Sequence, residues 1–319
     1  MHSQVRVPGR RLSLASFSGD PWVNFPFYLL LPLAAGIVFA VSSMCFKRAF
    51  TEGAGLARTF FVNNILLGLA FLPMLLIEAP PIGWERIHLP LATGAVFFAG
   101  NVINFMAMRR GDVSLVTPLL GTKVLFVALI SALIFQAPLK PEHWWGAALT
   151  CIGVLVLGAT DVKEGSWLCP TTALSILSGA CFGLCDSLLQ AWAKDFGIYR
   201  FLPIMFAFVS VQSIGLKFNF KAPLRSMPPA AWKWLLLGSV LTVSQAMLLC
   251  FAIAFYHDAT GINVVYSLRG LWTITLVWFL GHWFGNVERT SASGKMIWRF
   301  LGAILMTIAV ALSVRAAKE

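Results

Sequence analysis

The sequence predicts an all-α polytopic membrane protein: ten transmembrane helices arranged as two inverted five-helix repeats. Three observations lead there. Of 319 residues, 58% are apolar and only 12% are charged, with a mean hydropathy of +0.80. The apolar residues collect in ten runs that are nearly free of charge. Landmarks in the second half of the chain also repeat those of the first. A soluble domain carries roughly 25% charged residues, so this chain cannot cover itself with polar surface. A water-soluble enzyme and a disordered chain are both excluded. Six cysteines without a CxxC exclude a disulfide scaffold or a zinc module.

Residues 1–26 form a polar tail with Arg6, Arg10 and Arg11. They do not read as a cleavable signal peptide, because the apolar run that follows is too long and lacks a small-residue cleavage site. Runs 27–46, 59–77, 87–108 and 143–160 contain no Asp, Glu, Lys or Arg, and 113–139 is interrupted only by Lys123. After a connector at 161–167, run 165–193 is interrupted only by Asp186 and 259–287 only by Arg269. Runs 201–216, 234–257 and 300–314 are uncharged. With its flanks, each run is long enough for a hydrocarbon core of about 30 Å. None alternates as the strands of a barrel would. The expected division is a first repeat at 27–160, a second at 168–315 and a short tail at 316–319.

Shifting the chain by 146 residues brings Asp112 onto Asp258, Lys123 onto Arg269 and Glu142 onto Glu288; a shift of 143 brings Gly36 onto Gly179. Each half then holds five spans. An odd number places the copies in opposite orientations, the plan of secondary transporters that bind substrate between halves near the midplane.

A charge within the bilayer is costly and marks function by default. Lys123 and Arg269 sit near mid-span, too deep to snorkel easily. Asp186 can neutralise only one of them, so a positive site remains. Asp186 is either a charge partner or a proton-coupling group. Tyr266, Trp272 and Thr273 share a helix face with Arg269, and Tyr266 is a candidate for the pocket wall. Asn101 and Asn104 share a face on the third span; ligand contact and interhelical hydrogen bonding explain them equally well, as they do Asn63, Asn64 and Gln245. Gly179 and Gly183 read as a close-packing pair, with Cys181 and Cys185 as small buried residues. The five histidines give no metal spacing. No phosphate loop, nucleophile elbow or cofactor motif is found, so no metal, cofactor or catalytic residue is assigned.

The net charge of +11 resides mostly in connections between spans, as anchors at lipid headgroups; no nucleic-acid partner is expected. With the N-terminus cytoplasmic, nine basic residues fall inside and thirteen outside, which mildly favours the opposite orientation.

The stretches GDVSLVTPLLGTKVLFVALISALIFQAPLKPEHWWGAALTCIGVLVLGA (111–159) and INVVYSLRGLWTITLVWFLGHWFGNVE (262–288) resemble the drug/metabolite transporter superfamily with its EamA-type repeat. Gln136 and Pro138 stand where many members carry a Gly-Glu pair. TKVLFVAL and SLRGLWTI are similar to segments of nucleotide-sugar and plastid sugar-phosphate translocators. That similarity implies that Lys123 and Arg269 bind substrate phosphate. The resemblance also implies that both termini are cytoplasmic, against the charge count. The expectation is therefore a secondary transporter or exporter of a small organic metabolite bearing an anionic group, working by alternating access in a bacterial inner membrane, as a monomer or homodimer. Its expected substrate-binding residues are Lys123, Arg269, Tyr266, Asn101 and Asn104. A membrane-embedded enzyme and a non-transporting assembly factor or sensor are the alternatives. The first needs a clustered acid, base or metal site, and the second long loops or interaction domains.

Overall fold

The computed structural model describes residues 27–79, 81–110, 113–136, 139–159, 170–216, 222–280 and 296–318. The tail at 1–26, the connector at 161–167 and the landmarks Asp112, Pro138 and Glu288 lie outside the described residues. The elements are α1 (Leu30–Thr51), α2 (Leu56–Phe71), α3 (His88–Arg110), α4 (Val113–Leu119), α5 (Lys123–Leu133), α6 (Pro141–Ala159), α7 (Pro170–Phe196), α8 (Ile198–Ile214), α9 (Pro229–Tyr256), α10 (Ala259–Ser267), α11 (Arg269–Leu280) and α12 (Met296–Lys318). Six stretches are long and apolar enough to cross a membrane by themselves: Phe27–Thr51, Leu56–Leu76, Trp84–Arg110, Pro170–Phe196, Pro229–Tyr256 and Ala259–Leu280.

The twelve described helices make ten rods, because α4 with α5 and α10 with α11 are each one rod with a break. These are the two runs that the sequence presents as continuous. The first break is a single 3-10 turn, Leu120–Thr122, two residues after Pro118, which has no amide hydrogen to give the helix ladder. The second falls at Leu268, whose N–H bonds to the Val265 carbonyl three residues back rather than four. Each break has a hydroxyl bonded to a carbonyl three residues earlier, Thr122 to Leu119 at 2.8 Å and Ser267 to Val264 at 2.5 Å. Such back-bonding competes with the regular ladder and bends helices.

Packing follows a twofold pattern. α1 packs on α9 as α7 packs on α3; α1 meets α11 as α7 meets α5; α2 pairs with α8, and α6 with α12. Exchanging the two halves maps each of these contacts onto another or onto itself. Successive rods joined by short links run antiparallel, so five rods per half put the second half in the opposite orientation. The protein is thus an all-α polytopic membrane protein of two inverted five-helix halves.

Close approach of the halves is built on small residues, as expected where lipid gives helices no hydrophobic reason to associate. A Cβ on Gly179 would lie 3.4 Å from the Lys123 amide nitrogen, and one on Gly183 2.8 Å from the Phe126 Cβ. The stripe on α7 therefore seats α7 directly on the backbone beginning α5. Two apolar clusters flank the middle of the bundle. One centres on Phe71, Met205 and Phe206, with Phe71 and Phe206 stacked at 4.3 Å. The other centres on Phe46, Phe60 and Phe105, tilted and edge-on at 5.1 and 5.5 Å.

Candidate functional site

Between those clusters lies a cavity of about 80 Å³, reached by residues of both halves. Lys123, Asp186, Tyr266, Arg269, Asn101 and Asn104 all line it. Six of the residues singled out from the sequence thus come together in one place. The two broken rods meet here. Lys123 begins α5 and Arg269 begins α11, so each cation stands at the break of its rod. Both are buried, at 4% and 3% exposure.

Their surroundings differ. Lys123 Nζ lies 2.6 Å from Asp186 Oδ2, and Asn263 Nδ2 donates to the same oxygen at 2.7 Å. A buried ion pair needs such extra hydrogen bonds to offset its desolvation. Arg269 has no carboxylate partner among the described residues. Its Nη2 donates to the Leu120 carbonyl at 3.0 Å, an oxygen within the break of the opposite rod. Its guanidinium lies 4.3 Å from the Tyr266 ring centre and 4.8 Å from that of Phe39, held by cation–π attraction to both. Its Nε is buried without a hydrogen-bond partner. Lys123 Nζ is 5.3 Å from the same Tyr266 ring. Both cations therefore lie against one aromatic ring.

The asparagines divide their roles. Asn101 Nδ2 donates to Asn64 Oδ1 at 2.8 Å, and Asn64 Nδ2 donates to Ser213 Oγ at 2.9 Å. This chain ties α3, α2 and α8, so Asn101 does interhelical bonding while also lining the cavity. Asn104 leaves its Oδ1 buried and unpartnered, an acceptor available to a ligand donor. Gln245 joins the lining. Of the residues near Arg269, Thr273 spends its hydroxyl on the Arg269 carbonyl at 2.8 Å, and neither Thr273 nor Trp272 lines the cavity. Ser43 and Phe39 do line it, though the sequence reading passed over both. A signal for Ser43 existed: the shift that carries Gly36 onto Gly179 carries Ser43 onto Asp186. Phe39 gave none, being one of 26 phenylalanines.

The arrangement offers hydrogen-bond donors and one unneutralised positive charge in a mostly apolar chamber. Among the described residues no three His, Cys, Asp or Glu side chains group to hold a metal.

Residues 26–159 match the EamA-like transporter family. A probable 4-amino-4-deoxy-L-arabinose-phosphoundecaprenol flippase subunit ArnE from Pseudomonas savastanoi pv. phaseolicola is 34% identical over 59 residues, 18% of this chain and 52% of that protein. A protein of the same description from Salmonella enteritidis is 28% identical over 81 residues, 24% of this chain and 73% of that one. An uncharacterized transporter of Archaeoglobus fulgidus is 24% identical over 144 residues, 44% of this chain and 51% of that protein. The chain spans about half the length of the first of these relatives and of the archaeal one. A protein of known crystal structure, 16% identical, superposes with a TM-score of 0.62 over 89% of this chain and 95% of its own, a likeness of fold. The chain is an integral membrane protein whose first half, residues 26–159, is similar to the EamA-like transporter family.

Proposed function

We propose that the protein is a secondary transporter that carries a small organic solute bearing an anionic group, by rocking its two halves about the central cavity. The observation that carries this reading is Arg269: a buried guanidinium with no carboxylate partner among the described residues, an unpaired Nε, and a position where the halves meet. A permanently charged group is costly to bury unpaired, and a bound anion would repay that cost. The fork of arginine suits a phosphate or carboxylate. Tyr266 and Phe39 fix its plane, Asn104 accepts a hydrogen bond from the solute, and Lys123 supplies a second donor when its pair with Asp186 loosens. Asn101 shapes the wall. Relatives described as flippase subunits for an arabinose-phosphoundecaprenol favour a phospho group among the anions. No covalent step is assigned, and binding, electrostatics and motion carry the work. The bacterial flippase relatives support a bacterial inner membrane, and the resemblance supports cytoplasmic termini, which a reporter fused after residue 319 reads directly.

The test is counterflow. Purified protein in liposomes preloaded with single metabolites is scored for accelerated uptake of the labelled form. Saturable exchange of anions, abolished in Arg269→Gln at normal abundance, is expected. Exchange restricted to cations or neutral solutes rejects the reading.

A further inference from the structure

We infer that the cavity selects an anionic group with a single negative charge, a phosphodiester or a carboxylate, over one with two, and that Asp186 sets this choice; the inference rests on the anion-carrier reading above. The argument is a charge count. Lys123 and Asp186, 2.6 Å apart, contribute zero net charge together, whether their shared proton sits on the amine or on the carboxyl. Arg269 holds its proton under all physiological conditions. The remaining titratable side chains lining the cavity are Cys185, Cys250 and Tyr266, neutral near pH 7 by ordinary thiol and phenol chemistry. The net charge of the chamber is therefore that of one guanidinium.

In a small chamber walled by phenylalanine, leucine and methionine, a ligand charge left uncompensated is penalised far more than in water. A monoanion cancels Arg269. A dianion leaves one charge over unless it breaks the Lys123–Asp186 pair, and then it strands Asp186 with Asn263 alone. The geometry agrees with the count. Arg269 already spends Nη2 on Leu120 and holds Nε without an acceptor, so part of its fork is committed and only the remaining donors are left for one anionic group.

The probes are diethyl phosphate, which carries one charge at any working pH, and ethyl phosphate, whose second ionisation falls near pH 6. Ligand-dependent thermal stabilisation of the purified wild-type protein gives apparent Kd for each. Between about pH 5 and about pH 7.5, ethyl phosphate should lose about tenfold in affinity as it becomes a dianion. Diethyl phosphate changes little and corrects for titration of the protein itself. A fluorescent phosphatidylglycerol against phosphatidic acid, in the same detergent, repeats the comparison for a lipid-borne group and separates the free from the membrane source. Asp186→Asn removes the compensating acid and should reverse the order, ethyl phosphate binding better at the higher pH. Equal or tighter wild-type binding of the dianion overturns the inference, as does an unchanged order in a folded Asp186→Asn protein. If that variant fails to fold, the wild-type pH series decides alone. Binding by no ester and no lipid rejects the anion-carrier reading itself, an outcome distinct from anion binding with the wrong charge order.

Discussion

The rod of α4 and α5 and the rod of α10 and α11 are the same device built twice. Each breaks at mid-length, each begins its second segment with a cation, and each lies against a glycine of the other contact helix, Gly179 beside Lys123 and Gly36 beside Arg269. What differs is the residue seven positions after that glycine. On α7 it is Asp186, and on α1 it is Ser43. Both face the cavity. The repeated backbone thus sets where charge is placed, and one acid-for-hydroxyl difference sets how much of it stays open. Lys123 is neutralised at 2.6 Å; Arg269 is held by a carbonyl and two aromatic faces.

The largest effect expected from this comparison comes from breaking the paired side. Lys123→Gln leaves Asp186 as an uncompensated buried acid, and removing one partner of such a pair costs about 3–5 kcal/mol. Membrane abundance and detergent thermostability should both fall steeply. Replacing both, Lys123→Met with Asp186→Leu, should recover most of the abundance, since an apolar pair of similar volume is often neutral. A single substitution that is as abundant as wild type would remove the pair from any structural role.

Arg269→Gln is the contrasting case. It orphans no acid, so abundance should stay near wild type. Anion transport should drop by about 10–100-fold, the equivalent of roughly 1.5–3 kcal/mol for hydrogen bonds to a charged group. Arg269→Lys keeps the charge but loses the flat fork between Tyr266 and Phe39, and should fall between the two. Loss of abundance without loss of activity in the surviving Arg269→Gln protein would make this arginine structural, like its lysine counterpart.

Much of the fold was legible because burial in lipid writes itself as absence of charge. Runs free of Asp, Glu, Lys and Arg located the rods, and the three interrupting charges located the cavity. The second break was not legible. Hydropathy does not register which carbonyl an amide bonds to, and Val-Tyr-Ser-Leu-Arg around Leu268 contains neither proline nor glycine to announce one. Nor was the division between Asn101, tied to Asn64, and Asn104, left with a free oxygen. Two asparagines three residues apart look alike until their neighbours are known. That Asp186 pairs with lysine rather than arginine was likewise open, because one acid and two bases allow either choice.

A smaller effect is expected from making the halves alike. Ser43→Asp puts on α1 the acid that α7 already has. With Arg269 then neutralised, the net positive charge of the chamber vanishes, and anion uptake should weaken by about tenfold while the fold persists. Uptake unchanged in a stable Ser43→Asp protein would show that the seven-residue correspondence with Asp186 does not carry into the site.

The smallest effects separate the two helix seams. Below Gly179, α7 continues with Gly183, where an added Cβ would meet the Phe126 Cβ at 2.8 Å and the Lys123 carbonyl at 3.2 Å. The same position on α1 is Ala40, fully buried with its methyl already accommodated. The α1–α11 seam is therefore the roomier of the two. Gly183→Ala should cost about 1–3 kcal/mol, the range for overpacking, because α5 must move off α7 and take the Lys123 backbone with it. Gly36→Ala meets Arg269 Cβ at only 3.4 Å, an ordinary contact, and gains up to about 1 kcal/mol of helix propensity. Its stability change should be close to zero or slightly favourable. Thermal melting of the two variants in one detergent makes the comparison. Equal destabilisation would mean that both seams are equally tight, and that the asymmetry of the halves is confined to the charges.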